Sequence, residues 1–101
     1  MMKILLVCNA GMSTSMLVTR MEKAAQQRQL NAQIQAVPVS QAETMLDEWD
    51  IVMLGPQVRH QLQYLQKKAE GKTPICVIDM RDYGMMNGEK VLDAAINTLE
   101  Q

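Results

Sequence analysis

The stretch Ile4-Leu5-Leu6-Val7-Cys8-Asn9-Ala10-Gly11-Met12-Ser13-Thr14-Ser15 decides how this chain folds. Four consecutive aliphatic residues describe a strand covered on both faces, as in a parallel sheet. A helical pattern begins near Ser13 or Thr14. A cysteine therefore stands at the carboxyl end of a strand, and a short loop of small residues carries the chain into a helix. Loop N–H groups and the helix N-terminus converge there, and the helix dipole favours negative charge. Asn9, Ala10 and Gly11 keep the loop low and let backbone approach a ligand. Ser13, Thr14 and Ser15 add hydroxyl donors. The same field favours a thiolate over a thiol, so Cys8 is expected to be nucleophilic near neutral pH. A thiolate in a phosphate-sized cradle suggests a phosphoryl group carried on sulfur. Free cysteines are commonly small buried hydrophobes. After Cys8, however, residues 9–15 contain no charged side chain and no large one except Met12.

The missing residues narrow the chemistry. A nucleotide-binding P-loop ends in Gly-Lys-Ser/Thr, and no lysine lies between Lys3 and Lys23. A tyrosine-phosphatase loop places an arginine six residues after its cysteine to clamp the transition state; that position is Thr14. A redox Cys-x-x-Cys would need a second cysteine where Gly11 stands. A loop that holds phosphate through neutral donors suits storage and hand-over better than hydrolysis.

Outward from the loop, strands and helices alternate. Strands are expected over 3–8, 33–37, 50–54 and 75–78. The second, Gln33 to Val37, alternates polar and apolar residues and closes on Pro38, which marks a sheet edge. Helices are expected over 13–29, through Met45 and Leu46 after a Ser40-x-x-Glu43 capping box, and from Gln57 or Val58 to a stop at Gly71. The core stripe of that third helix is Val58, Leu62, Leu65 and Ala69. A loop bearing Tyr83-Gly84 then leads to a last helix capped by Asn87, with Val91, Leu92, Ala95, Ile96 and Leu99 buried. Such alternation gives a single-domain α/β fold: an open four-stranded parallel sheet with helices on both faces. Right-handed crossovers and an edge position for strand two favour the order 2-1-3-4. The Cys8 loop then lies at the switch point, where ligands bind in such sheets.

Composition sets the outer bounds. The 101 residues suit one domain spanning 1–101, and a net charge of −1 does not indicate nucleic-acid binding. No apolar run approaches the ~20 residues of a membrane span. The N-terminal run is too short for a signal peptide, so a cytoplasmic location is expected. Cys76, inside Ile75-Cys76-Val77-Ile78, reads as a buried structural thiol. It would stand about 9–10 Å from Cys8 across two strand spacings, too far for a disulfide, whose Cα limit is roughly 7 Å. His60, the only histidine, lies in a polar helix stretch and reads as solvated. Asp79 and Asp82 read as residues that cap or shape their loop. Arg20, Arg28 and Arg59 read as helix surface. Ten methionines and no phenylalanine make an unusual core; Met12, Met16, Met85 and Met86 are either packing or an apolar rim around the cysteine.

Cys8-x-x-Gly11-Met12-Ser13-Thr14-Ser15 after a hydrophobic strand resembles the phosphocysteine loop of IIB components of the bacterial sugar phosphotransferase system, most closely the lactose/cellobiose/chitobiose branch. The resemblance continues through Leu54-Gly55-Pro56-Gln57-Val58 and from Tyr83-Gly84 to Asn87-Gly88. It implies that Cys8 takes a phosphoryl group from phosphohistidine on a cytoplasmic IIA protein. The group is then held by the backbone of Asn9, Ala10, Gly11, Met12, Ser13, Thr14 and Ser15. From there it passes to a sugar, a β-linked disaccharide such as cellobiose or chitobiose, bound on membrane IIC. No metal, cofactor or nucleotide is implied. Met16, Gln57, Val58 and Tyr83 are expected at the rim of the site, with Tyr83 as a hydroxyl donor or an apolar wall. Two other readings stay open: a low-molecular-weight phosphatase-like or arsenate-reductase-like enzyme, and a non-catalytic IIB-like regulatory module.

Overall fold

The structure, a computed structural model, describes residues 1–9 and 12–100, and of residues 12 and 13 the backbone alone. Strands β1 (Met2–Cys8), β2 (Ala32–Pro38), β3 (Ile51–Leu54) and β4 (Ile75–Val77) form one parallel sheet in the order β2-β1-β3-β4. Helices α1 (Met12–Gln27), α2 (Val39–Ala42), α3 (Leu62–Ala69), α4 (Met80–Gly84) and α5 (Gly88–Leu99) complete it, with 3-10 turns at Leu46–Glu48 and Pro56–Gln61. The expected sheet order is the observed one.

Two cores explain the uninterrupted apolar strands. Ile4 and Leu6 of β1 and Ile51 and Met53 of β3 face one side, where they meet Leu17, Met21 and Ala24 of α1 and Val91, Leu92 and Ala95 of α5. Leu5, Val7, Val52 and Leu54 face the other, against Ala42, Leu46, Trp49, Leu65 and Ala69. Period-two alternation sends neighbours to opposite faces, so a central strand buried on both must be apolar throughout. Each fully buried aliphatic side chain contributes about 1.5–3 kcal/mol. The edge strand β2 keeps Gln33 and Gln35 exposed beside buried Ile34 and Val37.

Helix α5 starts in direct contact with α1. A Cβ on Gly88 would stand 2.5 Å from the Arg20 carbonyl carbon and 2.6 Å from the Met21 nitrogen, so only glycine permits this approach. Asn87 caps α5 as expected, its Oδ1 accepting from the Lys90 N–H at 3.1 Å.

Three local expectations are corrected. Ser40 caps nothing: β2 runs through extended Pro38 directly into α2, which places Ser40 inside the helix. The third helix opens as a 3-10 turn with Pro56 in its first turn, and Val58 departs from helical geometry at φ −116°, ψ 20°. Its α-helical part ends at Ala69, with Glu70 left-handed at φ 54° as the C-cap and Gly71 at φ 74° just after it, so the expected stop at Gly71 holds. The Tyr83-Gly84 loop is helix α4, with the Asp79 carboxylate accepting from the Arg81 and Asp82 N–H groups.

Candidate functional site

The site is the crevice at the carboxyl ends of β1 and β3. Cys8 is the last residue of β1, opposite Pro38 of β2. It is 2 % exposed, and its thiol donates to the Val37 carbonyl oxygen at 3.8 Å. On the other flank the Gly55 N–H donates to the Val7 carbonyl at 2.8 Å, extending the β1–β3 pairing to the residue before Cys8. The chain leaves β1 for α1 on one face, while β3 and the turn after it lie on the opposite side of β1. The first turn of α1 therefore opens onto the crevice with N–H groups that no helical carbonyl can satisfy.

Of the predicted loop residues, Asn9 forms an exposed bend. Ala10 and Gly11 lie outside the described residues, as do the side chains of Met12 and Ser13, whose backbone begins α1. Ser15 is exposed, and its carbonyl accepts from the Thr19 hydroxyl at 3.2 Å. Thr14 is 1 % exposed, and its Oγ1 lies 3.1 Å from the Tyr83 hydroxyl.

The rim divides. Met16 and Gln57 are exposed. Val58 is 2 % exposed and packs in the second core, as its place on the core stripe of the third helix predicts. Tyr83 is 6 % exposed and forms part of the first core. It also lines a shallow cavity of about 290 Å³ with Pro56, Gln57, Arg59, Met80 and Gly84. Met80 is exposed on this cavity, and sequence reasoning missed it. The available signal was its place directly after the Asp79 cap. Met85 and Met86 line a different groove of about 420 Å³, with Arg20, Lys23 and Gln27, beside the middle of α1.

The remaining candidates stand elsewhere. His60 is exposed on the 3-10 turn. Cys76 is a free thiol, half-buried rather than buried, because β4 is an edge strand. Burial pushes its pKa up. Arg28 pairs with Asp93 of α5 at 2.6 Å. Among the described residues no group of three or more His, Cys, Asp or Glu side chains could hold a metal ion. None of their helices is long and apolar enough to cross a membrane.

Residues 3–94 match the family model described as "PTS system, Lactose/Cellobiose specific IIB subunit". The chain is 44% identical to the galactose-specific EIIB component of Lactococcus lactis subsp. cremoris (strain MG1363), covering 95% of this chain and 94% of that one. It is equally 44% identical, with the same coverage, to the cellobiose-specific EIIB component of Lactococcus lactis subsp. lactis (strain IL1403). The solution structure of the cellobiose-specific phosphotransferase IIB protein from Borrelia burgdorferi superposes with a TM-score of 0.81 at 48% identity, covering 98% of this chain and 92% of that one.

Proposed function

Because the chain belongs to the family of lactose/cellobiose-specific IIB subunits of the sugar phosphotransferase system, we propose that Cys8 is the residue that carries its phosphoryl group. IIB components are phosphotransferases. In this reading the Cys8 thiolate attacks the phosphorus of a phosphohistidine on a cytoplasmic IIA protein. The S–P bond forms as the N–P bond breaks, and the imidazole leaves with its electron pair. Backbone N–H groups of residues 9–15 and the loop hydroxyls hold the phosphocysteine. A hydroxyl of a sugar bound on membrane IIC then attacks the same phosphorus, and the thiolate leaves. Positioning and electrostatic stabilisation are all that this chemistry asks of the protein. Residues 1–101 act as one unit on the cytoplasmic side of the membrane, without entering it.

The placement of Cys8 carries this reading. A free thiol ends a central strand at the switch point of the sheet, and a 16-residue helix begins four positions later at Met12. The phosphatase alternative would need a guanidinium at position 14. Thr14 is instead buried against Tyr83. The sugar is a β-linked disaccharide such as cellobiose or chitobiose, and it is selected on IIC. The names of two equally similar relatives, one galactose-specific and one cellobiose-specific, fit a IIB surface that does not itself read the sugar.

The test is peptide mapping by mass spectrometry after incubation with phosphoenolpyruvate, the general phosphotransferase proteins and a lactose/cellobiose-type IIA. The phosphate is expected on the peptide containing Cys8, with the lability to iodine of a thiophosphate. Phosphate on His60 would overturn the mechanism. An unlabelled chain that still binds IIA would favour the regulatory module.

A further inference from the structure

Resting on the carrier reading, we propose that Tyr83 is a positioning residue: its hydroxyl fixes Thr14, and through Thr14 the first turn of α1, whose N–H groups receive the phosphoryl group.

The two hydroxyls lie 3.1 Å apart, between residues separated by 69 positions in the chain. Both residues are almost wholly buried, Thr14 at 1 % and Tyr83 at 6 % exposure. Buried hydroxyls left without partners are costly, so this pairing strongly favours one relative placement of α1 and α4. Thr14 also differs from other helical threonines of this chain. The Thr19 and Thr98 hydroxyls donate to carbonyls one turn back within their own helices, Ser15 at 3.2 Å and Ala94 at 2.9 Å. That is the ordinary local habit of a threonine in a helix. Thr14, in the first turn, reaches instead across the site.

Tyr83 is itself held. Its ring lies 3.5 Å from where a Cβ on Gly55 would stand, and Gly55 is bonded to Val7, the residue before Cys8. The ring thus fills the seam where β1 and β3 end. Helix α4 is pinned at its start by the Asp79 carboxylate. Just after its end, Arg20 of α1 donates to the Met85 and Met86 carbonyls at 3.4 and 3.2 Å. α1 and the α4 segment therefore meet at two points, and the one nearer Cys8 is the hydroxyl pair. An error of about 1 Å in placing a phosphoryl-binding turn can cost on the order of 100-fold in rate.

The experiment uses Tyr83→Phe, Thr14→Val and the double variant, each phosphorylated by a lactose/cellobiose-type phospho-IIA over a range of IIA concentrations. Phenylalanine keeps the ring and its packing, so only the hydroxyl is lost. Tyr83→Phe is expected to lower the saturating rate about tenfold while KM for phospho-IIA stays within about twofold. The double variant is expected to be no slower than the slower single variant, since both remove one interaction. Amide hydrogen exchange of residues 14–17 should quicken in Tyr83→Phe, with α5 unchanged. A wild-type saturating rate in Tyr83→Phe, or single effects that multiply in the double variant, would overturn the positioning role and leave the carrier reading intact. A wild-type protein that takes no phosphoryl group from IIA would overturn both.

Discussion

Cys8 and Cys76 are both free thiols on the same sheet, and their surroundings differ. Cys76 pairs with Met53 of β3, and Met53 pairs with Leu6 of β1. Cys76 is therefore level with Leu6, short of the carboxyl edge where Cys8 stands. It sits mid-sheet on an outer strand, packed against the first core and half-open to solvent. Burial shapes its chemistry, pushing its thiol towards the protonated form. Cys8 ends a central strand, is covered almost completely, and precedes the first turn of α1, which begins at Met12. On the carrier reading, position relative to the switch point and the helix N-terminus distinguishes the two cysteines more sharply than exposure does.

The largest effect that could break this contrast is loss of phosphoryl acceptance. Cys8→Ser is expected to abolish labelling by phospho-IIA, because a hydroxyl is a far weaker nucleophile than a thiolate near neutral pH. Cys76→Ala is expected to label at the wild-type rate. Label retained by Cys8→Ser, or lost in Cys76→Ala, would reverse the assignment. The direct readout is intact-mass spectrometry of each variant after a timed incubation.

Much of this contrast is legible in the sequence, because strands buried on both faces are uninterrupted in their apolar character. Ile4 to Val7 and Ile51 to Leu54 announce themselves as central strands, and the Gln33/Gln35 alternation with Pro38 announces an edge. Cys76 misleads for the same reason: Ile75 to Ile78 is as apolar as a central strand, yet it forms the other edge. Helix α4 is five residues long, too short to show a period, so Tyr83 reads as loop. Val58 is buried as its place on the core stripe of the third helix predicts, although it stands in a 3-10 turn after Pro56 and not in an α-helix. The Thr14–Tyr83 pairing joins two segments far apart in the chain, and no local pattern encodes it. The chemistry of the loop is read from its residue types alone, and Ala10 and Gly11 lie outside the described residues.

A smaller effect sharpens the contrast at the level of surfaces. If one face serves both IIA and IIC, it must contain the Cys8 end of the sheet and exclude the Cys76 strand. Among the described residues, exposed side chains there include Met16, Gln57, Arg59 and Met80, and the two methionines offer apolar surface that can exclude water from a phosphoryl group in transit. Release between transfers calls for a small contact at the low end of interface sizes. Backbone NMR titration with a lactose/cellobiose-type IIA is expected to shift amides of residues 12–16, 55–60 and 80–84 in fast or intermediate exchange. Residues 65–77 and those after 94 should scarcely move. Shifts centred on β2 or β4 would place the docking face elsewhere.

The smallest expected effect concerns Cys76 alone. Its thiol is raised above the ordinary value of 9.0 because burial disfavours the charged thiolate. Once pH passes that ordinary value, the unfolded chain gives up this proton more readily than the folded one. The folded state then binds more protons, and stability falls as pH rises. The loss begins near 9.0 and accrues until the folded thiol also ionises. Below that window both states keep the proton, and the thiol adds no pH dependence. Urea unfolding of the wild-type protein and of Cys76→Ala, at pH 7 and above pH 9, isolates this contribution, since Cys8 is common to both. The wild type is expected to lose ground relative to Cys76→Ala at the higher pH. Parallel behaviour of the two proteins across the window would show that the folded edge strand leaves Cys76 as hydrated as the unfolded chain does.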